Sequence, residues 1–414
     1  MTTALLVSGA FYGNDEWLYD TRAQRLGVQV EALARVVDRI DCLFLTYGLA
    51  DCSPEHLPVH EDRLRQLWTA KLSLRIEQVL RPVHTTTRWQ FYGPGIFDFY
   101  SQHLVRDISN EGAVDAVRAA VRAGPDLICA HRLGVMGLLM KLSGDVGRTP
   151  VFFDLDDIEH ISLSRRLLRA PEWPMERLML THVPRLLLAE IQAIRRSRLT
   201  FVCSEQDRRY LRRLACSRRV EVLMNSTRFP AGVRAGAPEP VVLYVGNFDY
   251  QPNRLAADIL VQDIWPAVRT RVPNARLILA GIHPRRVRSC PSTDPSVTFP
   301  GFVYDLDKLY EQARVVCCPI LNGAGTRVKI IEAAARARAI VSTTLGAEGL
   351  TFENGKEIVL RDGVAPLADE CVRLLQDPAA AERLGIAARE KARSTYEHSA
   401  VVAHLERLFT ACLQ

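Results

Sequence analysis

The chain has 414 residues, 48% hydrophobic and 24% charged, with a formal net charge of +6 carried almost entirely by arginine. That length exceeds one ordinary core and favours two α/β domains, and the composition excludes a disordered chain. No apolar run approaches the roughly 20 residues that cross a bilayer, and the ten cysteines are scattered with no C-x-x-C pair. Reduced, buried thiols in a cytoplasmic protein are expected, and a zinc site is not.

Met1-Thr-Thr-Ala-Leu-Leu-Val-Ser-Gly9 has no basic n-region and reads as a first strand, not a signal peptide. Further strands are expected at Cys42–Tyr47, Asp126–Ala130, Val151–Leu155, Leu199–Cys203 and Val220–Met224, with helical patterns between them at Arg22–Val37, Val114–Arg122 and Arg177–Arg195. Alternation of this kind argues for parallel, doubly wound sheets. Pro230-Ala-Gly-Val-Arg-Ala-Gly-Ala-Pro-Glu-Pro240 then breaks the pattern and reads as a linker. A second series follows, with strands at Val241–Val245, Ala275–Ala280, Val315–Pro319, Ile340–Ser342 and Ile358–Leu360. Val364–Leu375 is helical, Asp377-Pro378 starts a helix running towards Tyr396, and a last helix covers about His398–Cys412. The expected division is a first Rossmann-like domain at 1–232, a linker at 233–240, a second Rossmann-like domain at 241–395, and a terminal helix at 396–414 packing back on the first.

From Arg195 to Arg219, nine arginines face only Glu205 and Asp207. Such a patch is a candidate contact for anionic headgroups or a phosphate-bearing acceptor, and equally a solvated helical face. The basic residues lack interleaved aromatics at any recognised spacing, so no nucleic-acid role is expected.

The most informative stretch is Gly323-Ala-Gly-Thr-Arg-Val-Lys-Ile-Ile-Glu-Ala333. It follows the strand Val315–Pro319, so a glycine-containing turn leads into a helix at the carboxyl edge of a sheet, where phosphates bind. Arg327 and Lys329 stand at the helix start, where cations oppose the helix dipole, which points to an anion offsetting that cost. Glu332 is placed to accept hydrogen bonds from a ribose diol.

These residues resemble the nucleotide-binding domain of glycosyltransferase family 4, in a subgroup with a GAGTR-x-K-x-x-E motif. Val245-Gly-Asn-Phe-Asp-Tyr-Gln-Pro-Asn253 resembles the family's first strand and loop. Ile264-Trp-Pro266, Leu279-Ala-Gly281, Gly301-Phe-Val303, Leu309-Tyr310, Ile340-Val-Ser-Thr343 and Gly346-Ala-Glu-Gly349 continue the match in order. The resemblance implies a GT-B fold, two Rossmann-like domains facing across a cleft, and a retaining glycosyltransferase. It implies a nucleoside-diphosphate sugar as co-substrate, no bound cofactor and no essential metal. The acceptor would be a glycan, a lipid-linked saccharide or a small molecule. The family's E-x7-E motif has its second glutamate at Glu332, while Ala324 occupies the first position. Donor binding is therefore assigned to Gly13, Asn247, Asn253, Gly301, Phe302, Val303, Gly323, Gly325, Thr326, Arg327, Lys329 and Glu332. Gly301, Phe302 and Val303 form the expected base pocket, and Arg327 with Lys329 the diphosphate clamp. Gly13 lies in the loop whose backbone approaches the donor phosphate.

In the first half, Asp126-Leu-Ile-Cys-Ala-His131 resembles the family strand that ends in a site-facing histidine. Pro150-Val-Phe-Phe-Asp-Leu-Asp-Asp-Ile-Glu-His160 resembles the strand end that carries the catalytic-region histidine, with Asp156 in its place. Four carboxylates in six residues repel one another unless an incoming hydroxyl or a basic partner compensates. His131 and Asp156 are expected to position the acceptor, with Arg327 and Lys329 as the other catalytic residues. Two rival readings share these residues: a nucleotide-sugar epimerase of the same fold, and an inactive pseudo-transferase, which Ala324 favours. Localisation is expected to be cytoplasmic, with the Arg195–Arg219 patch as the candidate peripheral contact at the inner face of the membrane.

Overall fold

The computed structural model describes residues 1–11, 17, 20–47, 55–79 and 93–413. Contacts divide the chain into two units: Met1–Met224 with Gly323–Gly325 and Val401–Gln414, and Asn225–Asn322 with Thr326–Ala400.

The first unit is built on seven strands, β1 Thr3–Ser8, β2 Arg39–Tyr47, β3 Leu72–Val79, β4 Leu127–His131, β5 Val151–Asp156, β6 Leu199–Val202 and β7 Val220–Val222. All neighbours pair in parallel in the order β3-β2-β1-β4-β5-β6-β7. Parallel pairing forces a crossover after each strand, so helices cover both faces and the strands are apolar on both sides. β1 displays this directly: Leu5 and Val7 enter one core, Ala4 and Leu6 the other. The first core packs α2 Glu111–Arg122, α3 Arg132–Lys141, α4 Glu159–Arg169 and α5 Val183–Arg196; the second packs α1 Thr21–Leu33. α6 Glu205–Leu214 starts at Ser204, whose hydroxyl accepts from Asp207 N–H at 3.1 Å.

The second unit carries β8 Val241–Val245, β9 Arg276–Ala280, β10 Val297–Gly301, β11 Val315–Cys318, β12 Ala339–Ser342 and β13 Val359–Leu360, all parallel, in the order β10-β9-β8-β11-β12-β13. Its site-forming helices are α7 Gln251–Ile259 and α8 Val328–Ala335. Asp377 caps α9 Pro378–Tyr396 by accepting from Ala380 N–H at 2.9 Å, as its place before proline predicts. The proline-rich segment at 233–240 is stitched to this unit by two arginines. Arg338 donates to the Gly236 and Arg234 carbonyls, and Arg314 to those of Ala237 and Pro238. The last helix, α10 His398–Leu413, delivers Val402, Leu405 and Phe409 to the second core of the first unit.

Two strands escape the hydrophobic pattern. β3 reads LSLRIEQV and faces solvent with its charged residues, as an edge strand does. β10 reads VTFPG, where proline masks the strand character.

Candidate functional site

In each sheet the strand order reverses once, between β1 and β4 and between β8 and β11. Crossovers leave such a point to opposite faces and open a crevice at the carboxyl ends of its strands, where ligands bind in open α/β sheets.

In the first unit that edge holds Ser8 and His131, directly paired in register. The Ser8 hydroxyl accepts from the Ala10 N–H at 3.1 Å and lies 2.8 Å from His131 Nδ1. His131 is buried, and its Nε2 has no hydrogen-bond partner among the described residues. Burial, reinforced by Arg132, lowers its pKa to about 3, so the imidazole is neutral at ordinary pH. Next to it, Asp156 ends β5 at φ +60° and Arg132 opens α3 at φ +71°. Both occupy the left-handed region that non-glycine residues seldom enter, and such backbone is retained where surrounding contacts hold it. Here Arg132 Nη2 donates to Asp156 Oδ2 at 2.8 Å, and Cys203 Sγ to Asp156 Oδ1 at 3.0 Å. Arg25 lies beneath, with Nε and Nη2 both donating to Asp154, at 2.8 and 2.6 Å, and Nε 3.4 Å from Asp156 Oδ1. Burial works against ionisation of Asp156, yet Arg25 and Arg132 hold its carboxyl well below the usual range.

The repulsion anticipated in the acidic run is thus offset inside the fold by two guanidiniums. Further along it, Glu190 Oε1 accepts from the Glu159 N–H at 2.7 Å, its other oxygen meets His160 Nδ1, and His160 Nε2 meets Tyr210 Oη at 2.8 Å. His160 is therefore committed to holding the start of α4. Burial, with Asp157 and Glu190 nearby, pushes Glu159 up to about 7 against the pull of Arg132. Asp156, Asp157 and Cys203 bring ligand-type atoms within 4.8 Å of one another. That set suits a cation poorly, because Asp156 already answers two guanidiniums and burial pushes the Cys203 thiol far up.

The edge of the second sheet gathers most of the residues expected there. The chain leaves β8 through Gly246, against which Gly281 packs so closely that a Cβ on Gly281 would lie 1.7 Å from the Gly246 carbonyl oxygen. Asn253, at the start of α7, donates from Nδ2 to the Asn247 carbonyl at 2.8 Å. Its Oδ1 accepts from Lys329 Nζ at 2.7 Å, and the same ammonium donates to Tyr244 Oη at 3.0 Å. Burial, with Arg327 close by, pushes Lys329 down to about 8. Asn247, Asn253 and Lys329 are therefore one cluster.

Arg327 is the N-cap of α8, with extended backbone and no side-chain cap on the helix; its carbonyl accepts from the Ile330 N–H at 3.0 Å. Its guanidinium is buried and donates to the Asn322 carbonyl at 3.3 Å. The buried Asn322 side chain has no partner for either amide atom among the described residues, and an orphan of that kind calls for a ligand or solvent. Thr326 Oγ1 accepts from Asn225 Nδ2 at 2.9 Å. Gly323 and Gly325 sit at φ +100° and +73°, with Ala324 buried between them. Glu332, also buried, accepts from Tyr310 Oη at 3.4 Å. Gly301 takes φ +77° and its carbonyl accepts from the Gly281 N–H at 2.8 Å, while Phe302 meets Tyr304 edge to face at 4.8 Å and Val303 is half-buried. Gly13 lies outside the described residues. Two cations, a helix start without a side-chain cap and an orphaned amide are groups that an anion carrying further polar groups would call for.

Sequence reasoning missed Arg25, Arg132, Tyr244, Asn322 and Gln29, whose Nε2 donates to Asp154 Oδ2 at 2.6 Å. Arg25 and Gln29 left a trace, as polar residues four apart on the otherwise apolar inner face of α1. Tyr244 looked like one more apolar residue of β8, and only the fold reveals its hydroxyl under Lys329.

Residues 239–377, all but Gly323–Gly325 of them in the second unit, match the family model described as glycosyl transferases group 1. An uncharacterised 44.6 kDa protein in the cps region of Klebsiella pneumoniae is 29% identical over 129 residues, 29% of this chain and 33% of that protein. The match therefore spans about a third of that curated relative. Sucrose-phosphate synthase from Thermosynechococcus elongatus has a similar structure, with a TM-score of 0.70 at 19% identity over 99% of both chains. Anabaena HepE in complex with UDP-glucose gives 0.65 at 13%, over 99% of this chain and 100% of that one. The pneumococcal O-GlcNAc transferase in complex with UDP and GlcNAc gives 0.67 at 10%, over 100% and 99%. The fold is GT-B, with two Rossmann-like parallel-sheet units.

Proposed function

We propose that the chain is a retaining glycosyltransferase that moves a sugar from a nucleoside-diphosphate sugar to a hydroxyl of a glycan, a lipid-linked saccharide or a small-molecule acceptor. The observation carrying this reading is the convergence of Arg327, Lys329, Asn253 and the orphaned Asn322 amide at the uncapped start of α8. Glycosyl transfer asks for that chemistry, because negative charge grows on the leaving diphosphate as its bond to the anomeric carbon breaks. Donors fixed where charge develops stabilise the transition state without reorganising. The acceptor oxygen forms the new bond to the same carbon, and its proton passes to the departing phosphate oxygen, so no strong protein base is needed. Glu332 holds the ribose, and Gly301, Phe302 and Val303 flank the base.

In the first unit, His131 offers a neutral ring with one satisfied nitrogen. With the Ser8 hydroxyl proton shared to Nδ1, the ring proton sits on Nε2 and donates to a sugar or acceptor hydroxyl. Asp156 fixes the orientation of Arg132 beside it.

Two of the similar structures are complexes with UDP-glucose or with UDP, so uridine nucleotides are the first to try. A nucleotide-sugar panel screened by thermal shift identifies the donor, and released nucleoside diphosphate with candidate acceptors measures turnover. Anomeric analysis of the product by NMR reads the stereochemistry. Arg327→Ala and Glu332→Ala should each lower turnover by more than about tenfold, the scale of one charge-assisted bond. Near-wild-type rates in both would place the reaction elsewhere. An epimerised nucleotide sugar with no released diphosphate would instead establish the epimerase reading.

A further inference from the structure

The outer surface of the first unit carries an inverted amphipathic element. The 3₁₀ segment Pro174–His182 turns Met175 and Leu178 outward, 59% and 57% exposed, and Glu176 inward onto Arg166. With three residues per turn, positions three apart share a face, so this outward ridge is the apolar one. The segment packs against α4 and α5, whose nearby residues continue the pattern: Leu168 is 59% exposed and Leu188 49%. Gln102 ties the Gly95 and His182 carbonyls together, at 2.9 and 3.1 Å, bringing the 93–101 turns alongside, and there Phe97 is 74% exposed. Phe97, Tyr100, Arg185 and Leu188 border one shallow depression.

Charge decides what such a surface meets. Arg169, Arg177 and Arg185 stand among the protruding apolar side chains, whereas Glu176 is buried in its ion pair and Asp98 is used as a cap for the Tyr100 N–H; Glu172 is the remaining carboxylate of the segment. By contrast, the Arg195–Arg219 patch largely answers itself. Arg208, Arg209 and Arg212 pair with Glu205 and Glu221, and Arg195 and Arg219 bind main-chain carbonyls. It shows one exposed large apolar side chain, Tyr210.

We infer that the ridge formed by Phe97, Leu168, Met175, Leu178 and Leu188 seats the first unit on an anionic lipid surface. The apolar side chains enter the headgroup boundary and Arg169, Arg177 and Arg185 meet lipid phosphates, the pattern of interfacial attachment. Long arginine stems suit this, because they lie along apolar surface while the charge stays at headgroup depth.

Sedimentation of the full chain with phosphatidylcholine vesicles, with and without phosphatidylglycerol, tests it. Binding is expected only with the anionic lipid, weakening as salt is raised. Arg177→Gln with Arg185→Gln should lower partitioning about 25-fold, at about fivefold per charge. Met175→Asp with Leu178→Asp should lower it at least about tenfold, with an unchanged melting temperature because neither side chain belongs to the core. Arg196→Gln with Arg213→Gln should bind like the wild type. The inference is overturned if the wild-type chain ignores anionic vesicles, or if only the Arg196/Arg213 pair matters. It is equally overturned if Leu178→Asp abolishes self-association of the chain, which would make the ridge a contact between copies.

Discussion

Replacing Lys329 by methionine removes one charge, keeps the aliphatic volume and tests the proposed diphosphate clamp at its centre. Lys329 has three N–H donors, two of which reach Asn253 Oδ1 at 2.7 Å and Tyr244 Oη at 3.0 Å. The third is available to a phosphate oxygen, and a hydrogen bond to a charged partner contributes about 1.5–3 kcal/mol. Lys329→Met should therefore raise the dissociation constant of the cognate nucleoside diphosphate about tenfold to 150-fold. The unliganded protein should be no less stable, because burial already pushes the ammonium down to about 8 and methionine relieves that strain on its charge. Titration calorimetry at pH 7 gives the affinity and a thermal melt gives the stability. A second arm uses pH. Binding an anion raises the lysine pKa, so wild-type affinity should hold below pH 8 and fall as pH climbs from 8 towards the pKa of the bound state. The variant should lack that fall. A dissociation constant within threefold of wild type, at unchanged stability, would refute the clamp.

Asp156→Asn keeps a residue that tolerates the left-handed backbone but leaves Arg132, and in part Arg25, without a counter-charge. A loss of about 3 kcal/mol is expected from urea unfolding; a loss under about 1 kcal/mol would mean solvent already screens the group. His131→Ala should lower turnover about tenfold to a hundredfold at constant donor affinity. Because the imidazole is neutral down to about pH 3, the shape of the rate profile between pH 5 and 8 should not change. A vanished inflection in that window would show His131 titrating during catalysis. Glu159, raised from 4.5 to about 7, binds its proton more tightly folded than unfolded. Its contribution is complete below pH 4.5 and disappears as pH passes 7. Glu159→Gln should flatten the decline in melting temperature across that window, and a parallel curve would refute the assignment.

All strands of the two sheets but β3 and β10 were legible because parallel pairing buries both faces, and runs such as Val241–Val245 record that burial in composition. The start of α8 was legible for a different reason: glycines before a helix and cations at its first positions fit only a narrow set of local structures. What stayed hidden is long-range. Arg25 and Asp154 lie 129 positions apart and meet only because β5 runs beside the helix that follows β1. The left-handed backbone at Arg132 and Asp156 has no compositional mark, since both residue types usually take other conformations. The ridge at Met175 and Leu178 was masked differently, by its resemblance to the inner face of an ordinary helix.

The first unit closes around residues that the ribosome makes only after the whole second unit. Phe409 inserts edge-on against Phe152 and Phe201, at centroid distances of 5.0 and 6.1 Å, inside a core whose members outside α10 all precede residue 225. No shorter N-terminal stretch holds that aromatic trio. During synthesis the early sheet must wait, partly uncovered, while the whole second unit emerges and folds. Chaperone engagement, and any fragment cut before residue 401, should report on that open interval.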